Sequence, residues 1–143
     1  MMKYPDANTL VVRRVYGTLK DSCFTDLLWA IDKLGVTKFW KATTNPLLLT
    51  YKPTNQVILF RGLDDPLKIT SITVRHGILC WLWCEESFEI ADESAFDKVV
   101  MSLRGEIPEG SGLFKQFTLT FNPWRENWIK DRFFDHPADN VFT

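Results

Sequence analysis

A chain of 143 residues, 45% hydrophobic and 24% charged with seven glycines and seven prolines, has the composition of one ordinary globular domain, which excludes a disordered or collagen-like chain. A net charge of −1 and a pI near 6.1 exclude a global positive field drawing the whole chain to nucleic acid, so any such contact must be local. Three cysteines, no apolar leader in the first twenty residues and a longest apolar run at 77–84, far short of the roughly 20 residues that span a bilayer, predict a reducing intracellular setting and exclude a membrane-spanning helix.

In chain order, Leu10-Val11-Val12-Arg13-Arg14-Val15 is a β-branched run that suits a buried strand, broken by Gly17-Thr18. Thr18 with Asp21 gives a capping-box-like start to a helix carrying Leu19, Cys23, Leu27, Ile31 and Leu34 at helical spacing until Gly35. Leu47-Leu48-Leu49-Thr50-Tyr51 and Gln56-Val57-Ile58-Leu59-Phe60 flank the turn residues Pro53 and Asn55 and predict a hairpin. Arg61-Gly62-Leu63-Asp64-Asp65-Pro66 reads as an exposed loop, followed by an ambiguous stretch at 68–74.

Residues 78–84 are almost uniformly apolar and stop at Glu85-Glu86, the pattern of a strand buried on both faces with a charged C-terminal tip. Phe96, Val99, Val100 and Leu103 then predict a helix stopped by Gly105. Residues 115–121 alternate as a second strand, read as buried, with Thr120 and Asn122 at its tip. A last helix is expected from Asn122-Pro123 through Trp124, Trp128, Ile129 and Phe133, with a further strand starting at 140–143. Strands alternating with helices predict an α/β fold with a largely parallel sheet, interrupted by one antiparallel hairpin.

Open α/β sheets bind ligands beyond the C-terminal ends of their strands, and the two adjacent carboxylates of Trp81-Leu82-Trp83-Cys84-Glu85-Glu86 arrive there. In a nucleotide hydrolase one such acid holds Mg²⁺ and the next orients or deprotonates the attacking water. The plain alternative is a buried strand ending in a solvated Glu pair. Thr118-Leu119-Thr120-Phe121-Asn122-Pro123 has the same two readings, a phosphate-sensing strand tip or a half-exposed strand followed by an Asn helix cap. His76, Cys80 and Cys84 are not expected to share a metal, because positions four apart on a strand are about 13 Å apart. Lys20 and Lys33 read as the solvated face of the first helix, and Trp124 and Trp128 as core bulk or partner contacts.

From Leu10 to Phe142 the chain resembles the large subunit of tailed-phage terminase, including the PBSX-like prophage type. The resemblance rests on an ordered set: Leu10-Val11-Val12-Arg13-Arg14, Ile58-Leu59-Phe60-Arg61-Gly62-Leu63-Asp64-Asp65, the segment 81–86, Met101-Ser102-Leu103-Arg104-Gly105, the segment 118–124 and the segment 128–134. It implies one incomplete ATPase domain over residues 1–143: a partial RecA-like P-loop NTPase sheet of ASCE type, flanked by helices, with an inserted β-hairpin and without the phosphate-loop strand. By the same resemblance Glu85 is the Walker B metal acid, Glu86 the catalytic base, and Thr120 and Asn122 the nucleotide-coupling motif. Glu85 stands where many such ATPases have Asp, one methylene shorter, which changes the reach to the metal. Arg75 or Arg61 would reach a neighbouring subunit's γ-phosphate, although the plain reading of each is a surface charge. Residues 124–128 depart from the family pattern, being shorter and lacking the His before the second Trp.

The resemblance further implies ATP and Mg²⁺ as cofactors of the full-length protein, a downstream nuclease domain, and a place in the cytoplasm of a bacterial host. The implied partners are double-stranded DNA, the terminase small subunit, the portal protein and other copies of the large subunit. No glycine of the seven is followed by Lys, so a G-x-x-x-x-G-K-[ST] phosphate loop is absent and this chain alone is expected to be inactive or very weak. The alternative from another class is a non-enzymatic interaction or assembly module of a phage or prophage, and a third is one half of a split protein whose loop comes from another reading frame.

Overall fold

A computed structural model describes residues 1–64, 72–103 and 105–143. Its centre is a six-stranded mixed sheet: β1 (Ala7–Arg13), β2 (Trp40–Thr44), β3 (Leu47–Tyr51), β4 (Gln56–Gly62), β5 (Ile78–Glu85) and β6 (Gln116–Thr120). Their spatial order is β2-β3-β4-β1-β5-β6. Strands β4, β1, β5 and β6 run parallel, and β2-β3-β4 is an antiparallel meander on one side. Parallel strands must be covered on both faces, which is why Leu10, Val11 and Val12 form an unbroken apolar run and are all fully buried.

Alternation along the strands divides the core into two layers. Leu10, Val12, Leu59, Leu82 and Cys84 pack against Phe96 and Val99 of α2 (Glu93–Met101) and the adjoining Leu103. Val11, Ile58, Phe60, Leu47 and Leu49 pack on the other face against Leu19, Cys23 and Phe24 and against Ile31 of α1 (Thr25–Lys33). Helix α1 ends where Gly35 takes φ +67° and its N–H bonds Asp32 O at 2.9 Å, a closure that a side chain at Gly35 would strain. The start of α2 is capped by Asp92, whose Oδ1 accepts the Ala95 N–H at 2.8 Å.

At the sheet's other end a buried Asn8 marks a register shift between β1 and β5. Its Nδ2 donates to the carbonyls of His76 and Ile78 at 2.7 and 3.3 Å, and its Oδ1 accepts the Val57 N–H at 2.8 Å. One side chain thus satisfies backbone groups from β4, from the start of β5 and from His76 just before it that the irregular pairing would leave open.

The strand assignments at β1, β3, β4 and β5, the β3–β4 hairpin and helix α2 agree with the sequence reading, but several local expectations do not. The first helix does not start with a capping box at Thr18. Thr18 Oγ1 donates back to Val15 O at 2.8 Å, and non-helical angles at Ser22 split the segment before α1. Strand β2 was not anticipated, because Trp-Lys-Ala-Thr-Thr lacks an apolar run and gains its place by pairing with β3. Arg61-Gly62 finishes β4 instead of opening a loop, while Asp65, Pro66 and the first part of the ambiguous stretch lie outside the described residues.

Further along, β6 is an exposed edge and not a buried strand, since among the described residues only β5 pairs with it and its residues are mostly solvent-facing. The last helix begins at Asn127, whose Oδ1 accepts the Ile129 N–H at 3.1 Å, and not at Asn122-Pro123. Residues 140–143 form no strand. Trp128 is anchored, with Nε1 donating to Ile90 O at 3.0 Å and its ring 5.3 Å from that of Phe96, whereas Trp124 is 75% exposed.

Candidate functional site

Because β4, β1, β5 and β6 are parallel, their C-terminal ends share one rim of the sheet, and the register sets Arg13 of β1 beside Gly62 of β4, and Glu85 of β5 beside Thr120 of β6. A ligand site is expected on this rim. Glu85 and Glu86 both reach it half-buried.

The Thr120 hydroxyl is the polar joint between the two strand tips. It donates to Glu85 Oε2 at 2.7 Å, has the Cys84 carbonyl as a longer second acceptor at 3.4 Å, and accepts from the Trp83 indole Nε1 at 2.8 Å. Ser87, fully buried just beyond the acids, donates from Oγ to Cys84 O at 2.9 Å and lies 3.2 Å from Thr120 O. The last residues of β5 and β6 are therefore held by side chains where the backbone ladder runs out.

Glu86 adopts φ 48° and ψ 48°, left-handed backbone that costs a non-glycine residue on the order of 1 kcal/mol. The turn lets the chain leave the sheet at once into a short 3-10 turn, Ser87–Glu89, with Phe88 and Ile90 buried beneath it. A strained, half-buried carboxylate directly after a strand tip is an arrangement that only its surroundings maintain, and such outliers concentrate at functional sites.

Arg13, which carried no assigned role in the sequence reading, sits on this rim. Its Nη1 lies 3.5 Å from Ser22 Oγ and its Nε 3.8 Å from Glu89 Oε2. The Cys23 thiol beneath is pushed up to about 11, first by burial and further by the Glu85 carboxylate, with Ser22 and Arg13 opposing. Burial alone pushes Cys84 up to about 12, so both thiols are structural and neutral at ordinary pH. The signal for Arg13 was present in the sequence, a charge ending the most buried strand, but it points to a rim only once the strand order is known.

The other predicted residues are more dispersed. Asn122 is exposed two residues past β6, and Phe121 and Pro123 on either side of it wall an apolar cavity of about 470 Å³ with Phe88, Ile129 and Phe134. Neither acid lines this cavity. Arg75 is exposed before β5 begins, at the opposite end from Glu85 of a strand that itself spans roughly 23 Å at 3.3 Å per residue. Arg61 is half-buried at the end of β4 on the acids' rim, its Nη1 donating to the Phe60 carbonyl at 2.7 Å. Cys80 and Cys84 are buried in the core, His76 lies outside the strand, and no cluster of three metal-ligating side chains occurs among the described residues.

Residues 1–141 match the family described as phage terminase large subunit. The chain is 39% identical over 127 residues to the terminase large subunit of Bacillus phage SPP1, covering 87% of this chain and 30% of that protein. It is 34% identical over 126 residues to the PBSX phage terminase large subunit of Bacillus subtilis strain 168, covering 87% of this chain and 27% of that protein. Among solved structures, the large terminase from the thermophilic bacteriophage D6E has the same fold, with a TM-score of 0.57 at 15% identity over 81% of this chain and 26% of that one. The chain spans less than a third of the length of each of these proteins. No helix among the described residues is long and apolar enough to cross a membrane.

Proposed function

This chain belongs to the phage terminase large-subunit family, and on that premise we propose that it forms part of an ATP-hydrolysing motor domain for viral DNA packaging, with the tip of β5 as the strand that handles metal and water. The observation that carries the proposal is the hydrogen bond from Thr120 to Glu85, which couples the two strand tips where such a site is expected. Mg²⁺ is usually held by one or two carboxylates with waters and phosphate oxygens, so Glu85 fits as its protein ligand. A carboxylate has about four acceptor positions, and Thr120 uses one of Glu85's. Bound Mg²⁺ would neutralise charge on the phosphates of ATP.

Glu86, held in its strained turn, is assigned to orient and deprotonate the attacking water. Thr120 and Asn122 are assigned to the phosphate end of the nucleotide, where a shift of the β6 tip would be felt directly at Glu85. Arg75, remote from its own chain's acids, is assigned to a neighbouring copy, with Arg61 as the candidate already on the acids' rim. None of the seven glycines precedes a lysine, so the phosphate cradle is assigned to residues outside these 143. The reading brings duplex DNA, the small subunit, the portal protein and other large-subunit copies as partners, in the bacterial cytoplasm.

A chimera in which this chain replaces the matching segment of the SPP1 large subunit tests it. Glu86→Gln there is expected to lower ATP turnover at least 100-fold while ATP binding persists. Unchanged turnover in that variant would sink the assignment.

A second reading, an assembly module, is favoured by one observation. Among the described residues strand β6 is an edge with no strand on its outer side and with Phe117 exposed, and beside it Phe117, Leu119, Phe133 and Phe142 line an open cavity of about 940 Å³. Self-association at micromolar concentration supports it, and a monodisperse monomer contradicts it.

A further inference from the structure

The chain's charge is near balance overall but not locally. Residues 33–63 contain Lys33, Lys38, Lys41, Lys52 and Arg61 and no Asp or Glu, so this stretch carries +5 while the whole chain carries −1 and the remainder −6. In the fold this stretch is the last turn of α1, a 3-10 turn at Thr37–Phe39 and the β2-β3-β4 meander. All four lysines are exposed, whereas Arg61 is half-buried on the far rim.

Lys38 and Lys52 meet at one corner, with Lys33 and Lys41 on the segments that lead into and out of it. Antiparallel pairing sets Trp40 opposite Tyr51, and the Lys52 N–H bonds Phe39 O at 2.8 Å, which brings Lys52 beside Lys38 and Phe39. Lys41, the second residue of β2, lies opposite Thr50, two residues before Lys52. Aromatic rings cluster beside the corner, with Tyr51 5.2 Å from Trp40 and 6.4 Å from Phe39. The Lys38 ammonium stands 4.9 Å over the Phe39 ring and that of Lys33 5.6 Å over Trp29, so both are steadied on apolar surface. The nearest acid in sequence, Asp32, lies beside Lys33 and is 3.4 Å from the Thr37 hydroxyl.

Edge strands commonly carry a lysine to repel other strands, and Lys41 alone serves that purpose. Lys33, Lys38 and Lys52 lie off the edge strand, so edge protection does not account for them. We propose that this corner is a docking surface for the phosphate backbone of duplex DNA, gripped through Lys38, Lys41 and Lys52 with Lys33 at its margin, and reading no base sequence. The choice of DNA as the polyanion rests on the function proposed above; the basic surface itself does not.

The test is fluorescence anisotropy of the 143-residue chain with two labelled 30-base-pair duplexes of unrelated sequence, at 50 to 200 mM salt, without nucleotide. Three phosphate contacts predict a log–log salt slope of about −2.7, a loss of roughly 40-fold over that range, for both duplexes alike. Lys38→Glu with Lys52→Glu is expected to weaken binding at least 10-fold and to flatten the slope by about two. Lys20→Glu with Lys98→Glu makes the same change in net charge elsewhere and is expected to stay within 3-fold, with circular dichroism verifying that both variants fold. Equal weakening by the two pairs, a clear preference for one duplex, or no binding at 50 mM salt overturns the proposal. ATP takes no part in this assay, so failure here leaves the Glu86 assignment standing, and failure of the chimera leaves the basic corner standing.

Discussion

The two edges of the sheet are built on opposite chemical principles. Strand β2 exposes Lys41 and threonines and is flanked by further lysines, so that edge repels another strand and attracts anions. Strand β6, Gln-Phe-Thr-Leu-Thr, has no charge along its length and leaves Phe117 39% exposed, with Phe114 and Phe142 exposed nearby. Edges of the second kind are aggregation sites unless something covers them. The difference teaches that the sheet's open sides differ in destination, one toward solvent and polyanions, the other toward apolar surface.

The severest way to break this comparison is to remove what joins the edges. Leu82 lies in β5, which pairs with β1 and β6, and is almost fully buried in the α2-side core. Leu82→Ala is expected to cost about 2–5 kcal/mol, read as a lower urea midpoint. If amide exchange in that variant loosened β6 alone and spared β2-β3-β4, the sheet would be two independent units and the edges could not be compared. Asn8→Ala, which leaves the carbonyls of His76 and Ile78 and an N–H of β4 without their shared partner, is expected to cost about 1–3 kcal/mol. A loss under about 0.5 kcal/mol would mean that water replaces Asn8 freely at the register shift.

What was legible in the sequence follows the same divide. Strands β1, β4 and β5 were readable because burial on both faces demands long apolar runs, and the carboxylates were readable because they end one such run abruptly. Strand β2 was invisible because an edge strand needs only a neighbour's backbone, which composition does not record. Strand β6 was found but judged buried, since alternation of Phe117 and Leu119 reports a face that is apolar and not whether anything lies on it. At the site, the Glu85–Thr120 pairing depends on β5 and β6 being neighbours across 35 residues of sequence, and Arg13 required the position of β1. The split at Ser22 escaped because local spacing continues through it while the backbone does not.

The rim offers a smaller and sharper probe of the β6 side. Thr120→Val keeps the shape of the side chain but removes the donor to Glu85 and the acceptor for Trp83. The pair is partly exposed, so the expected stability loss is about 1 kcal/mol or less. The informative readout is the Trp83 indole N–H, whose hydrogen exchange followed by NMR is expected to quicken when its acceptor is lost. An unchanged Trp83 indole exchange rate would show that the two strand tips are not coupled through this hydroxyl.

The smallest effect on stability carries the most direct test of the two edges. Phe117 pairs through its backbone with Leu82 but leaves much of its ring in solvent, so Phe117→Lys surrenders little burial and gives β6 the charge that β2 already has. Its stability is expected to stay within about 0.5 kcal/mol of the parent, as for surface substitutions away from special features. Its association should change far more, because a charged edge resists strand addition and apolar docking alike. Sedimentation velocity of parent and variant from 5 to 200 µM separates the outcomes. Loss of concentration-dependent sedimentation in the variant alone places the contact at β6. Persistence of association in both would move the contact to other apolar surface, such as the exposed Trp29 and Leu34 at the end of α1, and would remove the distinction between the edges.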